Sequence, residues 1–146
     1  MDTEHRWVTT QVGRLCARVA EAAEGVVDLR PRPDPQLVRR RLADRLAFGV
    51  VPTAALGYAV LVADELVTNA YLHSGAPLRL RYSRHRAGLL IEVTDAAPHR
   101  AQTLAAIRDG VREPGTGLAV VSTAALDWDV HHNAVEKTVW ALLRFR

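Results

Sequence analysis

Glu65, Asn69 and His73 recur at four-residue steps in the run from Leu61 to His73. On a helix they would stack in one row. That row offers a carboxylate, an amide and an imidazole. A carboxylate can take a proton from a reacting hydroxyl, and an amide oxygen suits a hard cation such as Mg²⁺. Three further places bear on chemistry. Asp95 ends an alternating run, where its carboxylate can accept a hydrogen bond from an exocyclic amine. Gly115-x-Gly117, with Thr116 between and Leu118 after, opens a helical run. Glycines there admit close backbone approach, and the free N–H groups of a helix start attract phosphate. Thr138 lies in a β-favouring stretch with Val139 and Trp140. Each feature taken singly also has an ordinary reading: a solvated helix face, a turn aspartate, loop glycines, a strand threonine.

These residues need elements to position them. Leu56, Ala59, Val60, Ala63, Val67 and Ala70 fall at three- and four-residue steps, which predicts a long helix from a cap at Thr53 through the Glu65 row. A shorter helix is predicted from Asp34-Pro35 to about Phe48, with Val38, Leu42 and Leu46 inward. Val26 to Arg30 reads as a short strand. Leu78, Leu80 and Tyr82 alternate with polar residues, and so do Leu89, Ile91 and Val93 after a turn over 85–88. Residues 99–107 suggest a short helix, followed by a loop over 108–114. A helix from Gly115 to about Ala125 leads to a second hairpin, with strands 126–131 and 135–145. Val12, Leu15, Cys16, Val19 and Ala23 fit an amphipathic helix over 9–24, ended by Gly25. The interleaving implies one domain over 1–146: a two-layer α/β sandwich, helices on one face of a mixed, mostly antiparallel sheet.

Composition narrows the function classes. A chain of 146 residues with 49 % hydrophobic and 24 % charged residues suits one globular domain. Lys137 is the one lysine among nineteen Lys and Arg residues. Net charge is +3, and no recognition helix or aromatic RNA motif accompanies it, so nucleic-acid binding is not expected. Cys16 is the single cysteine, which excludes an intrachain disulfide. No run reads as a signal peptide or membrane span, and a cytoplasmic protein without a membrane partner is the expectation.

In order, Glu65-Leu66-Val67-Thr68-Asn69-Ala70, Asp95, Gly115-Thr116-Gly117-Leu118 and Lys137-Thr138-Val139-Trp140 resemble the motif series of the GHKL ATP-binding domain of histidine kinases and gyrase. The likeness is to its small stand-alone bacterial branch, the anti-sigma-factor serine-protein kinases. It runs from about residue 35 to 146, leaving residues 1–25 as a helical extension. The resemblance implies ATP and Mg²⁺ as ligands, with Glu65 as general base and Asn69 holding the metal. It implies that Asp95 binds the adenine amine, supported by Thr138. Gly115, Thr116, Gly117 and Leu118 would close over the phosphates, and His73 would approach them. It further implies a serine/threonine protein kinase, a sigma factor or anti-anti-sigma-type antagonist as partner, and pairing of two copies through their sheets.

One stretch departs from that family. Its usual Asp-x-Gly-x-Gly is here Asp95-Ala96-Ala97-Pro98-His99. Ala97 adds a methyl group where glycine admits a ligand, and Pro98 removes a donor. The alternative function is therefore a nucleotide-sensing or catalytically dead interaction module.

Overall fold

A computed structural model describes residues 24–47, 51–73, 76–85, 88–110 and 116–144. In chain order the elements are β1 (Glu24–Asp28), α1 (Pro35–Ala47), α2 (Thr53–His73), β2 (Pro77–His85), β3 (Gly88–Asp95), a 3₁₀ turn (Pro98–Arg100), α3 (Ala101–Arg108), α4 (Thr116–Ala124), β4 (Asp127–His132) and β5 (Lys137–Arg144). The strands form one sheet in the order β1-β2-β3-β5-β4. All four neighbouring pairs are antiparallel, so the expected two-layer α/β sandwich stands, with an antiparallel rather than a mixed sheet.

Local chemistry accounts for the boundaries. Asp34 Oδ1 accepts the Gln36 N–H at 2.8 Å, which caps α1 with Pro35 in its first turn. Asn133 Oδ1 accepts the N–H groups of Val135 and Glu136 at 2.9 and 3.0 Å. This holds 133–136 as a turn and delays β5 to Lys137, two residues later than the alternation of the sequence suggests. The amphipathic helix expected over 9–24 lies outside the described residues except at its end, where Glu24 and Gly25 open β1 instead of closing a helix.

The core sits between α2 and the middle of the sheet. α2 buries Ala55, Ala59, Val62, Ala63, Leu66, Val67 and Ala70. Its buried stripe is wider than the sequence pattern: Val62 and Leu66 join it, while Leu56 and Val60 are half-buried. The reason is position. α2 packs on β2, β3 and β5 and is flanked by α1 and α4, so three sides of it are covered. Val27, Leu80, Tyr82, Leu89, Ile91, Val93, Val139, Ala141 and Leu143 meet the helices from the strands. Leu90, Trp140 and Leu142 form a separate small cluster on the opposite face, as the two-residue strand period requires. α3 is tied to β4: Arg108 donates to the Trp128 carbonyl at 2.6 Å and to Asp127 Oδ1 at 2.9 Å.

Two glycines test this packing in opposite directions. Gly88 opens β3 at φ 154°, and a Cβ there would lie 1.7 Å from the Leu143 carbonyl oxygen. Gly57 lies in α2 with nothing near its missing side chain. Denaturant unfolding should show Gly57→Ala raising stability by about 0.5–1 kcal/mol. Gly88→Ala should lose more than about 1 kcal/mol, because its clash is with backbone. A harmless Gly88→Ala would refute the β3–β5 register.

Candidate functional site

The row predicted on α2 is present. Glu65 and Asn69 are half-buried, and His73 is exposed at the helix end. That end is anchored through Tyr71, whose hydroxyl donates to the Pro33 carbonyl at 2.9 Å. The Arg32 guanidinium lies 5.1 Å over the Tyr71 ring and donates to the Tyr71 carbonyl at 3.2 Å. Burial pushes the Tyr71 phenol up from its ordinary pKa, while the Arg32 charge pulls it down.

Glu65 meets α4. A Cβ added to Gly117, the second residue of α4, would sit 2.5 Å from Glu65 Oε2. The carboxylate therefore lies against backbone at the start of a helix, where partial positive charge favours it. A side chain at residue 117 would require the Glu65 carboxylate to move aside. Leu118 is buried in the core beside Val121 and holds this end of α4 down. Thr116 opens α4; Gly115 lies outside the described residues, as does most of the loop expected before it.

Asp95 ends β3 and is almost wholly buried. Its Oδ1 accepts the Ala97 N–H at 2.9 Å, which stabilises the turn after the strand. Its Oδ2 accepts from the Lys137 ammonium, and both side chains are 2 % exposed. Thr138 is placed elsewhere. In the β3–β5 ladder Asp95 pairs with Lys137 and Thr94 with Thr138. The Thr138 and Thr94 hydroxyls are 2.8 Å apart, on the side of the strands away from Asp95. The structure thus brings Glu65 to Gly117, aligns Asn69 and His73 on the same helix, gives Asp95 a lysine neighbour and pairs Thr138 with Thr94.

Lys137 is the residue that reading the sequence missed. Its signal was present, since it is the chain's one lysine, but its neighbour is set by register between strands that are 42 residues apart in the chain. Among the described residues no three His, Cys, Asp or Glu side chains gather as a metal site. A single amide donor such as Asn69 suits Mg²⁺, which commonly takes few protein ligands and completes its shell with water and phosphate oxygens.

The family model of the histidine kinase-like ATPase domain matches residues 27–143, a span that contains every candidate site residue. No curated protein matches the chain.

The contact of Glu65 with Gly117 predicts a coupling measurable by denaturant unfolding. Gly117→Ala should destabilise the wild type, because the new methyl group must displace the carboxylate. In a Glu65→Ala background the same change should be neutral or mildly stabilising. The interaction energy between the two sites should reach about 0.5–3 kcal/mol. Simple additivity would show that the two residues do not touch.

Proposed function

The chain belongs to the histidine kinase-like ATPase domain family, and from that premise we propose a regulatory protein kinase that binds Mg·ATP and phosphorylates a serine or threonine of a partner protein. Membership itself implies ATP binding. The kinase reading rests above all on the Glu65 carboxylate, half-buried and set against Gly117 at the start of α4. In that place a carboxylate stands beside backbone N–H groups suited to phosphate. The acceptor hydroxyl oxygen would attack the terminal phosphorus as its proton passes to Glu65. The bond from that phosphorus to the bridging oxygen would break, and ADP would leave. Asn69, one turn on, would hold Mg²⁺ against the phosphates, so that the protein works by positioning and charge. The antagonist or sigma factor of an anti-sigma circuit is the partner class that the motif resemblance supports.

A second reading has an observation of its own. Ala97 and Lys137 both contact Asp95, on the residue assigned to adenine. This favours a module that senses nucleotide, or holds a partner, without turnover. Glu65 and Asn69 favour the kinase, because a module without turnover has no need of a base beside a phosphate-binding helix start.

The two site residues on α2 should fail differently. Glu65→Gln should keep most ATP affinity and lose phosphoryl transfer by about 10²–10⁴-fold, the worth of a positioned base. Asn69→Ala should weaken Mg·ATP more than metal-free ATP. Transfer to a bound partner, or slow ATP hydrolysis as a proxy, reads the first; calorimetric titration with and without Mg²⁺ reads the second. An unchanged transfer rate in Glu65→Gln would remove the base assignment. ATP binding by a wild type that never transfers phosphate would leave the interaction module.

A further inference from the structure

Arginine fills every cationic Lys or Arg position of this chain except one, residue 137. That single lysine occupies one of the most enclosed places in the fold. It opens β5 directly opposite Asp95, is 2 % exposed, and bonds Asp95 Oδ2. Asp95 Oδ1 already receives the Ala97 N–H. Both oxygens of the carboxylate thus have donors before any ligand arrives. Ala97, which gives the Oδ1 bond, is itself 1 % exposed.

Resting on the nucleotide-binding reading above, in which Asp95 accepts the exocyclic amine of the base, we propose that Lys137 is a latch on the base pocket. A nucleotide base and the Lys137 ammonium compete for Asp95, and the ion pair sets nucleotide affinity. Lysine has the chemistry for this. Its charge is compact and rides on a flexible four-carbon stem, whereas a guanidinium is a rigid planar fork. When the ammonium swings out to water, the base amine replaces it as a neutral hydrogen-bond donor, so the Asp95 carboxylate keeps a hydrogen bond but gives up its counter-charge, a cost that nucleotide binding has to meet. When the pocket is empty, the latch keeps the charge of Asp95 compensated. Affinity then falls in proportion to the fraction of open molecules: a latch that is open about one time in a hundred weakens binding about a hundredfold. Lys137 is on this account an affinity-setting residue that acts through Asp95, not a catalytic one.

Calorimetric titration of ADP into the full chain tests the latch. ADP carries the base, so no phosphate acceptor is needed. Lys137→Thr should bind ADP about tenfold or more tighter than wild type. Lys137→Arg keeps the charge on Asp95 and should gain nothing. The paired change Asp95→Leu with Lys137→Met removes both charges together, which buried pairs often tolerate, and should bind no tighter than wild type. Should Lys137→Thr fail to fold, Lys137→Gln keeps a neutral donor and should still gain. Equal ADP affinity in wild type and the Lys137 variants would overturn the latch and leave the nucleotide reading standing. The same gain in the paired change would also overturn it, since Asp95 would not be involved. Failure of both wild type and Lys137→Thr to bind millimolar ADP would overturn the nucleotide reading, and the latch with it.

Discussion

The candidate site depends on how α2 is clamped. Val62, Leu66, Ala59, Ala63 and Ala70 are each at most 2 % exposed against the sheet and its flanking helices. Small residues at three of these positions let the helix lie close to the strands, and Val62 and Leu66 fill the remaining space. Removing one buried leucine side chain from such a core costs about 2–5 kcal/mol, a large share of the 5–15 kcal/mol that typically holds a domain. The same clamp fixes the rotation of the helix about its axis. With Leu66 and Ala70 pinned inward, Glu65 and Asn69 are held at the edge of the core, where one of them meets α4.

Strand parity decides the other half of the site. Successive side chains on a strand point to opposite faces. Val93 and Asp95 therefore share the helix-facing side, and Thr94 points away. Antiparallel pairing carries the same alternation into β5, so Lys137 and Val139 face the helices while Thr138 turns to Thr94. A shift of one residue in β5 would exchange the two and place a hydroxyl beside Asp95. Register is fixed here by what lies further along: Val139, Ala141 and Leu143 are core residues, and Trp140 and Leu142 belong to the cluster on the other face.

Much of this was legible in the chain before its fold. The row on α2, the cap at Asp34, the alternation of β2 and β3 and the sandwich class all follow from local periodicity and capping, which the sequence carries directly. What local pattern did not supply is contact across distance. Gly117 lies fifty-two positions after Glu65, and nothing in their spacing states that one touches the other. The neighbour of Asp95 is likewise a matter of register, and counting from the Asn133 turn would have been needed to choose Lys137 over Thr138. The strand start at Glu24 was hidden because apolar residues on both sides of it also satisfy a helical period.

On the proposed reading, Glu65, Asn69, Asp95 and Gly117 surround one adenine-nucleotide site. The most direct test of that reading is the amide spectrum of isotope-labelled protein titrated with Mg·ADP to millimolar concentration, a method that registers weak binding. Progressive shifts are expected at Glu65, Asn69, Ala97, Gly117 and Lys137, with β1 and the outer cluster at Leu90 and Leu142 unmoved. No shifts at saturating nucleotide, or shifts confined to residues away from α2 and the ends of β3 and β5, would contradict the reading.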